Sequence, residues 1–246
     1  MKLPDYVILT PVGSYHLYAL EDYVESILSL RHKPRLVAWA VDPETADEAR
    51  SKAKRLDENG IPVEVIVPEY GGAYRTSLER ITIAREVLRA YALSTSYDWF
   101  LYINSDIMVH PDLPGAMLEV ALKTKTLCLI HGYYGREKLV WHGGGIILAH
   151  RNALTVSRFM ITYFYHNGRR YNVSEDYNFK ALLHYAEPYV KSVTGWYTIE
   201  YVDILPVKHC HYRDKPCLYY DVHKSVEQVV SEILGMREKG VRRVFS

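Results

Sequence analysis

The chain has 246 residues, 48% of them apolar and 24% charged, and 30 Lys and Arg against 29 Asp and Glu leave a net charge of +1. That length buries one large core or two modest ones, and the charge balance argues against a dedicated nucleic-acid binder, which needs a basic field. No apolar run reaches the roughly 18 residues of a transmembrane segment.

Tyr6, Val7, Ile8 and Leu9 form a short apolar run that Pro11 and Gly13 are expected to stop. Leu17, Leu20, Val24, Ile27 and Leu28 then recur at helical spacing. Residues 36–41 read as a second buried strand, and Asp42 and Pro43 start a charged helix, with Asp as N-cap and Pro in the first turn, that ends before Gly60. A third strand follows at 63–67. Leu78, Ile81, Ala84, Leu88 and Tyr91 mark one helix face, and residues 99–103 give the fourth strand. Such continuous apolar strands alternating with helices predict a mostly parallel sheet covered on both faces, an α/β fold. Ligands of such sheets bind at the carboxyl ends of the strands. Here those ends fall near Pro11, Asp42, residues 68–75 and residues 104–106. The second half is less regular, with strand-like runs at 127–130, 146–149 and 199–205. Helices are predicted from Asn152, from Ser174 and from Ser225, the last with Gln228 as a capping box.

The first five residues lack the apolar stretch and cleavage site of a secretory signal, so a cytoplasmic protein is expected. Cys128, Cys210 and Cys217 accordingly read as thiols. Peripheral attachment to a membrane stays open, although no clear basic amphipathic helix stands out. Tyrosine is the compositional oddity, 22 against 5 Phe, so many rings must lie at surfaces with the hydroxyl wet.

Four segments carry residue types suited to chemistry. Asn104, Ser105 and Asp106 directly follow a buried strand, and a carboxylate there is placed to bind a hard cation, or else to cap a turn. Trp141-His142-Gly143-Gly144-Gly145 holds three glycines, which let backbone approach a ligand closely or simply make a tight turn. Ser174, Glu175 and Asp176 open a helix, where acids are favoured by the dipole, and a carboxylate there is also a suitable proton acceptor. His209-Cys210-His211-Tyr212-Arg213-Asp214-Lys215-Pro216 places His209 and His211 on one face if the strand continues.

The stretch Trp99 to Leu113 (WFLYINSDIMVHPDL) resembles the DxD segment of nucleotide-sugar glycosyltransferases with the GT-A fold, with Asn104 in place of the first Asp. HYRDKP is similar to the late His-Tyr…Lys-Pro segment of family 8 glycosyltransferases, with a shortened spacer, and the Glu-Asp pair is similar to that of inverting GT-A enzymes. The order of all four segments fits. The resemblance implies a GT-A-like fold running through 1–246, with a nucleotide-binding half to about residue 110 and an acceptor and catalytic half after it. It implies transfer of a sugar from a nucleoside diphosphate sugar to a hydroxyl acceptor, assisted by Mn²⁺ or Mg²⁺. Asp106 and His211 would hold the metal, with His209 the alternative ligand. Lys215 would contact the diphosphate. Pro11, Asp42, Arg75, Asn104 and Ser105 would contact the rest of the donor. Trp141, Gly143, Gly144 and Gly145 would lie on the acceptor side, with Asp176 as base and Glu175 supporting it. The Glu-Asp segment favours inversion and HYRDKP points toward retention. A nucleotidyltransferase and a non-catalytic carbohydrate-binding protein are the competing readings. The donor base, the acceptor and the oligomeric state are not legible.

Overall fold

A computed structural model describes residues 2–69, 76–134, 140–210 and 213–241. Two of the candidate site residues, Arg75 and His211, therefore lie outside the described residues.

The first half folds as its apolar pattern dictates. β1 (Tyr6–Val12), α1 (Leu20–Ser29), β2 (Leu36–Val41), α2 (Ala46–Glu58), β3 (Val63–Ile66), α3 (Ser77–Ser94) and β4 (Trp99–Ile103) follow one another. The second half adds β5 (Ile107–Val109), α4 (Leu113–Thr124), β6 (Cys128–His131), β7 (Tyr133–Tyr134), β8 (Val140–Trp141), β9 (Ile146–His150) and α5 (Arg151–Val156). It closes with β10 (Thr162–His166), β11 (Arg169–Val173), α6 (Glu175–Thr194), β12 (Glu200–Val202), β13 (Val207–His209), β14 (Leu218–Tyr220) and α7 (Val226–Glu238).

Seven strands make the central sheet in the order β12-β6-β9-β4-β1-β2-β3. β1 pairs in parallel with β2 and β4, and β9 runs antiparallel to both of its neighbours. Alternate residues of each strand face opposite sides. Tyr6 and Ile8 join Leu20, Leu56, Met117 and Ile233 in one core, so α1, α2, α4 and α7 cover that face. Val7 and Leu9 join Leu88, Leu154 and Phe179 in a second core under α3, α5 and α6. Burying each such aliphatic side chain contributes about 1.5–3 kcal/mol, which makes the two-faced burial of the sheet the main source of its stability.

Three expectations need correction. Pro11 does not stop the first strand, which continues to Val12. Pairing with β4 ends at Leu9, so at Pro11 only β2 remains alongside, and the missing N–H is tolerated as on an edge strand. β13 ends at His209, so the strand expected to run on through Cys210 stops there. Finally, Cys210 and Cys217 are not thiols but form a disulfide. β13 and β14 are an antiparallel hairpin with His209 opposite Leu218, which sets the residues just beyond them face to face. Cys128 remains a buried thiol, and burial pushes its pKa up.

The β10–β11 hairpin was not foreseen. Its two-residue turn is Asn167-Gly168, both at positive φ, the strongest short-range hairpin signal a sequence carries. The C-terminal capping box is as expected, with Ser225 and Gln228 bonding each other's backbone.

His131 is fully buried, with Nδ1 2.6 Å from the Gly132 carbonyl and Nε2 3.1 Å from the Ile204 amide. A neutral ring protonated on Nδ1 satisfies both, and burial lowers its pKa to about 4. The unfolded chain takes up this proton first, so stability should fall as pH drops from about 6.5 to about 4, by on the order of 3 kcal/mol. Urea unfolding across that range should show a steeper loss of stability with falling pH in the parent than in His131→Asn; equal slopes would contradict the assignment.

Candidate active site

The carboxyl ends of β1, β2 and β4 open into a cavity of about 340 Å³. Pro11, Gly13, Asp42 and Asn104 line it from the sheet, and Tyr133, Gly144, Glu175 and Asp176 close the far side. His16 enters from a short 3-10 turn, and α3 supplies Arg80 and Arg85. Sequence reading had placed Pro11, Asp42, Asn104, Gly144, Glu175 and Asp176 in the site, and the fold brings these six to one cavity.

Asp42 sits at the N-cap position before Pro43, as its sequence context suggests, but its side chain caps nothing there. Instead Oδ2 accepts from the Ser14 amide at 3.0 Å and lies 3.5 Å from Arg80. The carboxylate is thus turned across the end of β1 rather than into its own helix.

The centre of the far wall is Arg85, 2% exposed. Its guanidinium donates to Glu175 Oε1 at 2.6 Å, to Asn104 Oδ1 at 2.9 Å and to the Gly144 carbonyl at 2.7 Å. A planar fork of donors is what lets one side chain hold three partners. The side-chain carbonyl of Asn104, at the position where the DxD resemblance expects its first carboxylate, is committed to this network. Glycine is required at 144, because a Cβ there would stand 2.7 Å from the Arg85 Cζ. At Gly145 a Cβ would meet Ile107 and the Tyr133 ring at the same distance. Close approach to Arg85 and Tyr133 therefore explains two glycines of the run, and Gly143 is buried beside them.

Asp176 is the best-held carboxylate of the wall. Oδ2 accepts from the Gly144 amide at 3.1 Å, and Oδ1 accepts from the Ser174 hydroxyl and from the Tyr177 amide at 2.8 Å. Ser174 is the N-cap residue of α6, but its hydroxyl serves Asp176 instead of the helix backbone. Burial alone would raise the Asp176 carboxyl; the Ser174 hydroxyl, Arg85 and Lys180 outweigh it and hold the group below the usual aspartate range. Burial pushes Glu175 upward against the pull of Arg85. Lys180, itself lowered by burial, donates to the His142 carbonyl at 2.9 Å. The His142 ring is in turn 3.0 Å from Asp203, whose carboxyl burial would raise but the hydrogen bond from His142 lowers to about 2.

Asp106 lies one turn beyond Asn104 and is 1% exposed. Its Oδ2 is 3.1 Å from His209 Nε2 and 3.5 Å from His16 Nε2. Of the two candidate histidines, the described one at Asp106 is thus His209. Ser105 is buried. Lys215 is exposed on the segment that the Cys210–Cys217 disulfide closes, outside the cavity lining. Trp141 pairs through β8 with Tyr133. Among the described residues no group of three or more His, Cys, Asp or Glu is arranged to hold a metal ion.

Sequence reading missed His16, Tyr133 and, above all, Arg85. The signal for Arg85 was present. It falls seven residues after Leu78, four after Ile81 and three before Leu88, in the middle of an apolar stripe where an unpaired charge is not tolerated.

No protein-family model and no curated protein sequence matches the chain. Solved structures do. TarS 1–349 of S. aureus aligns with a TM-score of 0.52 at 14% identity, covering 89% of this chain. TarS in complex with UDP-GlcNAc aligns with the same score at 12% identity over 91%. In both, the chain spans 60% of the other's length. Glucosyl-3-phosphoglycerate synthase from Mycobacterium tuberculosis, in complex with Mn²⁺, UDP and phosphoglyceric acid, aligns over 97% of this chain and 79% of its own at 14% identity and a TM-score of 0.49. The fold is the GT-A-type glycosyltransferase fold, a mostly parallel α/β sheet flanked by helices.

Removing Arg85 leaves Glu175 a buried charge without its counterion. Arg85→Ala should therefore lower unfolding free energy by about 3–5 kcal/mol, and Gly144→Ala, which displaces the guanidinium, should also destabilise. Urea titration measures both, and a loss of under about 1 kcal/mol for Arg85→Ala would show that the network does not hold the wall together.

Proposed function

We propose that the chain transfers a hexosyl group from a nucleoside diphosphate sugar to a hydroxyl acceptor, with inversion. The observation that carries this reading is an ionised, fully hydrogen-bonded Asp176 in the wall of a cavity at the carboxyl ends of the parallel strands.

In this reading Pro11 and Asp42 receive the base and ribose, with Asn104 and Ser105 along the diphosphate, and residues 1–110 form the nucleotide half. The acceptor enters past Trp141 and Gly143–Gly145, in the half formed by residues 111–246. Asp176 takes the proton of the acceptor hydroxyl as its oxygen forms the new bond to the anomeric carbon. The bond from that carbon to the diphosphate breaks, and the diphosphate leaves with the electron pair. The carbon has oxocarbenium character in between, as in glycoside hydrolysis. Glu175 supports Asp176 through Arg85, which fixes both ends of the wall. UDP sugars are the first donors to test, since a structure of the same fold holds UDP-GlcNAc.

Asp106 with His209 would hold a divalent ion, and His16 faces the same oxygen. One carboxylate and imidazole nitrogen suit Mn²⁺, or Mg²⁺ less well. An ion bound largely through substrate phosphates and water needs only one or two protein groups, so the lack of a three-residue cluster among the described residues is compatible with it. When bound, the ion would neutralise charge on the leaving diphosphate. Lys215 and His211 complete the donor side of the proposal, which calls for no nucleic acid and no spanning helix.

Two substitutions separate the roles. Asp176→Asn keeps the shape and the Gly144 contact, so it should bind donor as the parent does while turnover falls by more than about 100-fold; a normal rate would remove Asp176 as base. Asp106→Asn should abolish Mn²⁺ binding in the presence of UDP, measured by calorimetry. Undiminished Mn²⁺ binding would rule out this ligand. A thermal-shift panel of UDP, GDP, CMP and dTDP sugars with and without Mn²⁺ identifies the donor, because a ligand of the native state raises the melting temperature. No response to any of them would contradict the function.

A further inference from the structure

We propose that the outer face of α6, together with the β10–β11 hairpin, docks the protein onto an anionic lipid surface.

Among the described residues, nine of the thirteen exposed large apolar side chains fall between Met160 and Val193. On α6, Tyr185, Tyr189 and Val193 follow at four-residue spacing along about 12 Å of helix and within about 80° of its circumference, and Tyr177 precedes them near the hairpin. Tyr185 is 88% exposed and Tyr189 73%, so these rings stand out from a convex helix surface instead of lining a groove. On the hairpin, Phe164 stacks on Tyr171, and Tyr165 is 73% exposed.

The two parts are joined. Asn178, in the first turn of α6, donates to the Met160 carbonyl at 2.7 Å, and Thr162 donates to its Oδ1 at 3.4 Å. Tyr163 anchors the hairpin to α3 by donating to Glu79 at 2.9 Å.

Charge selects the partner. Every exposed charged residue between 157 and 194 is basic: Arg158, Arg169, Arg170 and Lys191. The acids of that stretch, Glu175, Asp176 and Glu187, are buried. The Arg170 guanidinium lies over the Tyr163 ring at 4.2 Å, which keeps an aromatic and a cation at one point of the surface. Tyrosine rings flanked by Arg and Lys suit the headgroup layer of a bilayer, where the ring body is shielded and the hydroxyl stays wet. Each basic residue adds attraction to anionic lipid, and salt screens it. The assignment does not depend on the reaction proposed above, although the face continues from Asp176 at the cavity wall directly into Tyr177.

Co-sedimentation of the full chain with vesicles tests it. Vesicles of phosphatidylcholine with phosphatidylglycerol should bind at least about tenfold more tightly than phosphatidylcholine alone, and added salt should weaken the binding. Tyr185→Ser with Tyr189→Ser, and separately Arg169→Glu with Arg170→Glu, should each reduce affinity more than about fivefold. Their melting temperature should match the parent's, since all four side chains are exposed. Three outcomes would overturn the proposal: equal binding to both vesicle types or to neither, unchanged binding by both variants, or retention only on a soluble anionic polysaccharide. A dimer that both variants break, without vesicle binding, would also overturn it.

Discussion

One buried guanidinium holds the candidate site together. Arg85 reaches from α3 to the exit of β4 at Asn104, to the glycine run at Gly144 and to the start of α6 at Glu175. These three segments are separated by tens of residues and share no regular hydrogen-bond ladder with α3. A charge in that position is costly unless acceptors surround it, and both terminal nitrogens of Arg85 have them. The cost is what makes the arrangement specific, because displacing any partner leaves polar atoms stranded in the interior. Asp176 benefits indirectly, since the Gly144 residue that accepts from Arg85 through its carbonyl donates to Asp176 through its amide.

Sheet topology explains why the segments meet. β9 runs antiparallel next to β4, with Ile146 opposite Ile103, so the chain just before β9 lies beside the chain just after β4. The Asn104 amide donates to the Gly145 carbonyl at 2.9 Å across that junction. β5 then carries the chain from Asp106 into a second, three-stranded sheet with β13, which sets Ile107 opposite His209 and delivers the histidine to Asp106. The parallel strands β1, β2 and β4 supply one edge of the cavity, and the strand reversal at β9 supplies the opposite edge.

Much of this was legible because it follows local rules. Continuous apolar strands, Gly60 after α2, and the Ser225 to Gln228 box each have a short-range cause. The candidate residues at strand exits were legible because the carboxyl ends of neighbouring parallel strands converge on one edge of the sheet, where the cavity opens. What escaped depends on distant partners. Asp42 looks like a helix cap by sequence, yet the amide it serves belongs to Ser14, 28 residues earlier. The cysteine pairing needed knowledge that β13 and β14 form a hairpin, and three strands this short carry too few residues for a periodic pattern. Arg85 and the Asn167-Gly168 turn are different, since both left a signal in the sequence. The abundance of tyrosine was visible as composition, but only the fold shows which rings stay exposed on the β10–β11 hairpin and α6.

In the proposed reaction, Asp176 and the strand-end residues face one bound donor across a single cavity. A crystal structure of the protein soaked with the nucleotide sugar that stabilises it most tests this directly. The account predicts the ribose beside Asp42 and the anomeric carbon on the side of the cavity formed by Asp176 and Gly144. Donor bound elsewhere on the molecule, or bound with its sugar turned away from Asp176, would contradict it.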